Sequence, residues 1–262
     1  MAVLEAMGGL LKSTDDEEAA AQADAAKKGQ SLYRVTAMFS ATMPAAVERI
    51  ARNYLRSPAT IKIGDQDSGK NKRIEQHVVF TTEPNKRNLL ADLLHRRQPH
   101  EKYIVFVNAK RQCDVVGRGL EQARIPIGIL HGGKSQDQRE ASLEAFRNGE
   151  FQVLVATDVA ARGLDIPDVS HVVNHDMPAK IENYCHRIGR TGRAGKEGQA
   201  ITYLTEGDAE VMYDLKAYLE ATGMPVPPEL ARHPAAQQAA GTRNEKGEIM
   251  GQRREGTIFS KR

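Results

Sequence analysis

Residues 153–165 read VLVATDVAARGLD, and this stretch decides the fold. Its apolar, β-branched beginning predicts a buried strand over Gln152–Thr157, because a strand covered on both faces shows no polar alternation. The polar residues from Thr157 to Asp165 therefore come directly after a buried strand. In α/β proteins that position is the edge of the sheet where ligands bind.

The same alternation of apolar runs and amphipathic segments extends along the chain on both sides of this stretch. Strands that alternate with helices form βαβ units, so the sequence predicts an α/β fold with a parallel sheet flanked by helices. The predicted strands are Glu75–Thr81, Tyr103–Val107, Pro126–Leu130, Gln152–Thr157, Ser170–Asn174 and Ala200–Leu204. The predicted helices are Arg87–Arg96, Arg111–Gln122, Gln138–Asn148, Asp208–Ala221 and one that starts near Ile181.

Residues 31–63 form a shorter segment of the same kind. We expect a strand over Val35–Phe39, a helix opened by Pro44 and a second strand over Thr60–Ile63. Residues 64–73 read GDQDSGKNKR, which is polar with two glycines, and we interpret them as a linker. The predicted main domain is residues 74–222.

The two ends of the chain have a different composition. Residues 1–30 carry six acidic residues against three lysines and include an Ala-rich stretch, which predicts a solvated, flexible segment. The acidic cluster Asp15–Glu18 follows Ser13 and Thr14, so we interpret it as a capped helix start rather than a metal site. Residues 223–262 are rich in Pro, Gln, Gly and charge, and we expect a flexible tail there.

Composition excludes several classes of protein. The net charge of +3, from 37 basic and 34 acidic residues, excludes a histone-like polycation. Two cysteines cannot build a disulfide framework or a cysteine-based zinc site, and no metal site is predicted. Without an apolar run of membrane-spanning length, we expect a soluble protein of a reducing intracellular compartment. Aromatic residues at 5% with no Trp leave little material for stacking bases, so nucleic acid would be held through its backbone.

Residues 128–135, GILHGGKS, match the phosphate-binding pattern G-x-x-x-x-G-K-[ST]. A phosphate-binding loop needs its first glycine after the strand has ended, so that backbone N–H groups can wrap the phosphate. Gly128 instead lies inside an apolar run. We therefore favour a strand, a turn at His131–Gly133 and a helix, and keep a self-contained nucleotide hydrolase as an alternative.

Residues 186–193 read HRIGRTGR and carry the strongest chemical signal of the chain. Three arginines and two glycines within eight residues indicate an anion site, because guanidinium groups bind phosphate through several hydrogen bonds. Arg190 and Arg193 are three residues apart, so on a helical turn both would point the same way. In the block after Gln152–Thr157, Gly163 permits close approach of a ligand and Asp165 could accept from a ribose hydroxyl.

Five motifs in this order resemble the second half of the DEAD-box RNA helicases, over residues 31–222. They are Ser40-Ala-Thr42, Ile104-Val-Phe-Val-Asn108, Gln136-Asp-Gln-Arg139, the block 157–165 and the HRIGRTGR motif. The resemblance implies a RecA-like second domain at residues 74–222, preceded by the end of a first RecA-like domain at residues 31–63. The HGGKSQ stretch belongs to the same family pattern, which further weakens the phosphate-loop interpretation.

The resemblance also implies roles for individual residues. Arg190 and Arg193 would be arginine fingers for the γ-phosphate, with His186 coupling the cleft to Ser40 and Thr42. Gly163 and Asp165 would contact the nucleotide. The residues implied in sequence-independent RNA contacts are Asn108, Gly133, Arg139 and Thr157.

Some motifs of the family are absent from the chain: the Walker A loop, the adenine-recognising Gln motif and the Asp-Glu-Ala-Asp motif. We therefore expect a C-terminal portion of an ATP-dependent RNA helicase, with ATP and Mg²⁺ bound mainly by a first domain. This chain alone is then not expected to hydrolyse ATP. The alternative, from another class, is a non-catalytic RNA- or protein-binding module derived from a helicase domain.

Shorter signatures resemble the pre-mRNA-splicing branch of the family, which acts at the tri-snRNP step on the 5′ splice site. They are Lys110–Val115, Pro227–Leu230 with His233-Pro234, and Arg253–Phe259, where Gly256 replaces the acidic residue usual at that position. This resemblance implies unwinding or remodelling of short RNA duplexes in splicing. It also implies RNA and spliceosomal small nuclear ribonucleoproteins as partners, nuclear localisation and no association with a membrane.

Overall fold

A computed structural model describes residues 36–40, 43, 45–55, 58–61, 73–161, 166, 169–193 and 195–238. The chain divides into two compact units, Met1–Gly69 and Lys70–Arg262. In the first unit the described residues include one helix, α1, Ala45–Tyr54, as predicted after Pro44, with Val47, Ile50, Ala51 and Tyr54 at helical spacing.

The second unit is built on a parallel sheet. Within the described residues, six strands follow the order β1-β6-β5-β2-β4-β3, and every adjacent pair is parallel. The strands are β1 Ile74–Phe80, β2 Tyr103–Val107, β3 Ile127–Leu130, β4 Val153–Thr157, β5 His171–Asn174 and β6 Gly198–Leu204. All six predicted strands of this unit are confirmed, with bounds within two residues.

Helices flank this sheet as predicted. They are α2 Glu83–His95, α3 Lys110–Gln122, α4 Gln136–Asn148, α5 Asp158–Ala161, α6 Ile181–Ile188, α7 Ala209–Thr222 and α8 Pro228–Arg232, with 3₁₀ turns at Glu206–Asp208 and Pro234–Ala236. None of the helices among the described residues has both the length and the apolar character needed to cross a membrane.

The core lies on both faces of the central strands, because every residue of β2 and β4 is buried. Alternate residues pack on opposite faces. Val105 and Val155 join a cluster with α2 and α3, whereas Ile104 and Leu154 join one that includes Phe146 of α4. After β2 the chain continues to β3 at one edge of the sheet, whereas after β5 it continues to β6 toward the other edge. The switch point of the sheet therefore lies between the neighbouring strands β2 and β5.

Two predictions about the flanking segments are wrong. Residues 36–39 of the predicted strand Val35–Phe39 belong to no strand, and the Phe39 side chain is 94% exposed. A strand needs a neighbour for its backbone hydrogen bonds, and no strand occurs among the described residues of the first unit. Ile61, from the predicted strand Thr60–Ile63, is also non-strand and 81% exposed.

The flexible tail predicted from residue 223 is also wrong as far as residue 238. Leu230 and Ala236 are buried beside α7 in the cluster that also holds Leu215 and Leu219. A few apolar side chains are enough to hold this segment against α7, although four prolines interrupt it. Residues 239–262 and residues 1–30 lie outside the described residues.

Candidate functional site

The ends of three neighbouring strands bring polar residues together at the carboxyl edge of the sheet. Val107 of β2 pairs with Thr157 of β4, and Phe106 pairs with Asn174 of β5. Asn108 and Asp158 are the next residues after β2 and β4. The predicted positions Asn108 and Thr157 therefore lie at one edge, beside the switch point.

Arg187 of α6 occupies the centre of this edge and is only 1% exposed. Its Nε and Nη2 donate to the two carboxylate oxygens of Asp158 at 2.7 and 2.8 Å. Nη2 also donates to Asn108 Oδ1 at 2.7 Å. Nη1 donates to the Asp176 carbonyl oxygen at 2.6 Å and to Asn174 Oδ1 at 3.5 Å. One buried cation thus connects residues that follow or end β2, β4 and β5.

Asn108 is held by three contacts in addition to its position after β2. Its side-chain Oδ1 accepts from Arg187, and its Nδ2 donates to the Met177 carbonyl oxygen at 2.9 Å. Its backbone N–H donates to Asp176 Oδ2 at 3.0 Å. The residue is nevertheless solvent-exposed, so a fixed amide is presented at the surface of this edge.

A second buried cation, Lys86 of α2, stands beside the same strand ends. Its Nζ donates to Glu83 Oε1 at 2.6 Å and lies 3.8 Å from Asp176 Oδ1. Burial by itself raises the pKa of Asp176. Hydrogen bonds from His175 and the Asn108 backbone, with the charges of His175 and Lys86, outweigh burial and bring that pKa below its usual value. Asp176 is therefore held as a carboxylate.

The two predicted arginine fingers lie beyond helix α6, which ends at Ile188. They occupy a turn with Gly192 at φ +67°, so helical spacing does not set the directions of their side chains. Arg190 lines a small cleft with His186, Asn183 and Asp158. Arg193 is exposed, and its Nε donates to the Gly189 carbonyl oxygen at 2.7 Å.

Charged side chains line this cleft. They include two arginines, Arg187 and Arg190, and one aspartate, Asp158, which accepts two hydrogen bonds from Arg187. Among the described residues, no group of three or more His, Cys, Asp or Glu could hold a metal ion.

The turn after β3 positions Gly133 through His131. The His131 Nδ1 accepts from the Gly133 N–H at 3.0 Å, so Nε2 carries the proton that faces Asp114 Oδ1 at 3.3 Å. A Cβ at Gly133 would lie 3.0 Å from the His131 ring, which explains a glycine there. Gly133 is exposed at the same edge as Asn108 and Thr157, because Leu130 pairs with Ala156.

Arg139 lies in the second turn of α4, which begins after Ser135 with a reciprocal capping box to Gln138. Its Nη1 donates to Gln136 Oε1 at 3.0 Å, and its Nε is buried without a hydrogen-bond partner among the described residues. Within the described part of the chain, Arg139 makes no hydrogen bond to Glu140 or Glu144, the acidic residues one and five positions further along the same helix.

The structure also decides the GILHGGKS stretch. Gly128 lies within β3, and a Cβ there would approach the Phe151 ring to 2.3 Å. The glycine is needed for packing against Phe151. The N–H groups of Gly133 and Lys134 donate to His131, so they do not form a phosphate cradle. The preferred interpretation of strand, turn and helix is confirmed.

Several predicted site residues fall outside what the structure describes. Thr42, Gly163 and Asp165 belong to this group. Ser40 is described, in the first unit, where it is exposed.

Sequence reasoning missed Arg187 and Lys86, the two buried cations of this edge. Both left a signal in helical spacing. Arg187 follows the buried Tyr184 by three residues and precedes the buried Ile188. Lys86 is spaced by four and eight residues from the buried Leu90 and Leu94. A cation on the apolar face of a helix indicates a buried ion pair.

Comparison with known proteins now identifies relatives. The family described as "Helicase conserved C-terminal domain" matches residues 85–195. DEAD-box ATP-dependent RNA helicase 21 of Oryza sativa subsp. japonica is 48% identical over 242 residues, which is 92% of this chain and 32% of that protein. The pre-mRNA-splicing ATP-dependent RNA helicase PRP28 of Coccidioides immitis is 53% identical over 211 residues, covering 80% of this chain and 26% of that protein. The chain thus spans about a third or less of the length of these relatives.

Solved structures give the same result. The RNA helicase Prp28 from Chaetomium thermophilum bound to ADP is 48% identical, with a TM-score of 0.58 over 75% of this chain and 47% of that one. Saccharomyces cerevisiae Dbp5 bound to RNA and ADP BeF3 is 31% identical, with a TM-score of 0.61 over 72% of this chain and 49% of that one. The predicted RecA-like parallel sheet flanked by helices is confirmed.

Proposed function

We propose, since the chain belongs to the DEAD-box family of RNA helicases, that residues 74–222 supply the second RecA-like domain of an ATP-dependent RNA helicase. One observation carries the proposal. Helix α6, which ends just before Arg190, lies at the same edge of the sheet as the positions predicted to hold RNA. The Arg187 side chain joins the two. Residues 31–63 would then be the end of the first RecA-like domain.

RNA would be held by its backbone at the ends of β2, β3 and β4. Asn108 presents a fixed amide, Gly133 an exposed turn, and Arg139 a half-buried guanidinium. Thr157, at the end of β4, lies between them. Amide, guanidinium and hydroxyl groups donate to phosphate oxygens and 2′-hydroxyls, and such contacts do not distinguish one base from another.

ATP would be the substrate of the cleft beside α6. Arg190 and Arg193 would stabilise the negative charge that develops on the γ-phosphate during in-line attack by water. His186 would couple this cleft to Ser40 and Thr42, and Gly163 and Asp165 would contact the nucleotide. Mg²⁺, when bound with ATP, supplies further neutralisation of phosphate charge.

Unwinding would follow from closure of two RecA-like domains on ATP and RNA together. Each ligand favours the closed state to the extent that it binds that state more tightly. A strand bent in the closed groove cannot remain in a regular duplex, so short RNA duplexes would be separated or remodelled.

The setting that fits best is pre-mRNA splicing. Similarity to helicases named for pre-mRNA splicing supports this assignment, because more than half of the aligned residues are identical in one of them. We propose action at the 5′ splice site, with spliceosomal small nuclear ribonucleoproteins as partners and the nucleus as location.

RNA-stimulated ATP hydrolysis tests this function. The chain is assayed alone and then with a separately expressed first RecA-like domain of a splicing relative. We expect no turnover alone, turnover in the mixture and its loss on Arg190→Ala. Turnover by the chain alone that disappears on Lys134→Ala would instead establish a self-contained hydrolase. Saturable RNA binding without turnover in any mixture would indicate a non-catalytic binding module.

A further inference from the structure

We infer that Arg187 is a positioning residue that orients the Asn108 amide toward RNA and ties it to the turn that carries Arg190. This inference rests on the proposed function, because it assigns a role to a residue that contacts neither ligand. Arg187 is only 1% exposed, although it lies at the back of the small cleft that Arg190 also lines. Its side chain offers little surface to either ligand, so we assign its effect to the residues that it holds.

The guanidinium of Arg187 uses its full donor capacity. Such a group has five N–H donors and no acceptor. Here the donors meet Asp158 twice, Asn108, the Asp176 carbonyl and Asn174, so every N–H faces an oxygen. The ring of Phe106 packs against the guanidinium, with its centroid 5.3 Å from Cζ. A lysine ammonium, with three donors and no planar fork, cannot replace this arrangement.

This arrangement fixes which way the Asn108 amide faces. Because Arg187 only donates, Asn108 must turn its Oδ1 toward Nη2, and the 2.7 Å contact places it so. The Nδ2 group then donates one hydrogen to the Met177 carbonyl oxygen. An amide nitrogen carries two hydrogens, so one N–H remains for a phosphate oxygen, which accepts but cannot donate. If the Asn108 amide were flipped, its Nδ2 hydrogens would face the Arg187 Nη2 hydrogens, and no hydrogen bond could form between them.

The same residue connects this amide to the arginine finger. Arg187 directly follows His186, and its carbonyl oxygen accepts from the Arg190 N–H at 3.0 Å. Its side chain therefore reaches the RNA edge while its backbone begins the turn that carries Arg190. A displacement of Asn108 by RNA would be transmitted to that turn through one rigid guanidinium.

A double-mutant cycle on RNA affinity tests the inference. The full chain is titrated into a fluorescein-labelled oligouridylate at low salt, and anisotropy gives Kd for wild type, Asn108→Ala, Arg187→Lys and the double variant. We expect Asn108→Ala to weaken binding about tenfold, as for one hydrogen bond to a charged group. Arg187→Lys should weaken binding comparably, yet change Kd by less than about twofold once Asn108 is already Ala.

Two further variants separate positioning from general damage. Asp158→Asn removes the charge that holds Arg187, so it should weaken RNA binding in the same non-additive way, and it serves if Arg187→Lys does not fold. Tyr184→Phe is the matched control. It lies on the same helix and loses a buried hydrogen bond to Gln76 at 2.9 Å, so it should lower Tm without changing Kd.

The outcomes are distinguishable. Full additivity of Arg187→Lys and Asn108→Ala would overturn the inference while leaving the proposed RNA site intact. Equal weakening of Kd by Tyr184→Phe would also overturn it, since loss of stability alone would then explain the effect. No effect of Asn108→Ala on Kd would overturn the RNA role of Asn108 itself, and the inference with it.

Discussion

The parallel sheet carries a partly buried polar cluster at each of its two ends, and the two clusters differ in charge. At the carboxyl edge, Arg187, Lys86, Asp158 and Asp176 form ion pairs beside the strand ends. The amino-edge cluster, defined as Glu101, Tyr103, Ser170, His171 and Gln199, is held around an imidazole. Both are built on β2 and β5, the strands that meet at the switch point of the sheet.

The amino-edge cluster is held by a ring stack and by hydrogen bonds. The rings of Tyr103 and His171 stack with centroids 4.3 Å apart. His171 Nδ1 lies 2.9 Å from Ser170 Oγ and Nε2 lies 3.1 Å from Gln199 Oε1, while the Tyr103 hydroxyl donates to Glu101 at 2.9 Å. Burial lowers the pKa of His171, although Glu101 and Gln199 oppose this, so a neutral ring satisfies its neighbours.

The comparison of the two clusters indicates which polar groups to examine for function. Both clusters satisfy their hydrogen bonds, so hydrogen bonding alone does not separate a functional cluster from a structural one. The carboxyl-edge cluster also removes charged groups from water, which costs more free energy than burying neutral groups. In addition, it holds the exposed residue Asn108 in one orientation. Substitutions at this edge should therefore alter ligand binding or turnover, whereas those at the amino edge should alter stability alone.

The largest expected effect belongs to Arg190→Ala. In the mixture with a first RecA-like domain, it should lower kcat for ATP hydrolysis by about a thousandfold, as for other arginine fingers. RNA affinity and Tm should stay near wild-type values, because the substitution removes a charge at the cleft rather than a core contact. Rates within about tenfold of wild type would contradict the finger assignment, since known fingers contribute far more.

Arg187→Met should cause the next largest change, in the free energy of unfolding. Asp158 would lose its counterion while still partly buried, and breaking a buried ion pair in this way costs about 3–5 kcal/mol. Urea denaturation followed by circular dichroism measures it. A loss below about 1 kcal/mol, the range of a surface pair, would mean that the carboxyl-edge charges contribute little to folding.

Sequence alone predicted the sheet better than its polar edge, for a physical reason. Strand β2, Tyr103–Val107, was predicted at both bounds because five apolar residues in a row mark a strand buried on both faces. The start of α4 was missed by two residues because the capping of Ser135 extends the helix into polar sequence.

The carboxyl-edge cluster around Arg187 could not be predicted from local sequence patterns. Its partners Asn108, Asp158 and Asp176 are 79, 29 and 11 residues away along the chain. Only the order of strands in the sheet brings them together. The motif did indicate an anion site, but the arginine that lies at the centre of the edge is its first, whereas those assigned to phosphate are Arg190 and Arg193.

His171→Phe, at the amino edge, should have a smaller effect and one confined to stability. The stack on Tyr103 can persist, but Ser170 and Gln199 each lose a partner, so we expect a loss of about 1–2 kcal/mol. RNA affinity should match wild type in the same anisotropy titration. Weakened RNA binding at unchanged Tm would contradict the expectation that the amino edge affects stability alone.

Asp176→Asn should produce the smallest effect, a change in pH dependence. The pKa of Asp176 is lowered in the folded protein, so its carboxylate stabilises the fold above the ordinary value of 3.8. That contribution is lost as pH falls from 3.8 through the native pKa, because the unfolded chain binds the proton first. The variant should lose less stability over this acid range. Parallel wild-type and variant curves of unfolding free energy against pH would refute this.

The most direct test of the functional difference between the two edges is to locate bound RNA by NMR. Amide chemical shifts of the labelled chain are recorded with and without oligouridylate at low salt. We predict shift changes at Asn108, Gly133, Arg139 and Thr157, and none at Ser170, His171 or Gln199. Shift changes concentrated at the amino edge, with unchanged shifts at the carboxyl edge, would contradict the assignment of RNA binding to the carboxyl edge.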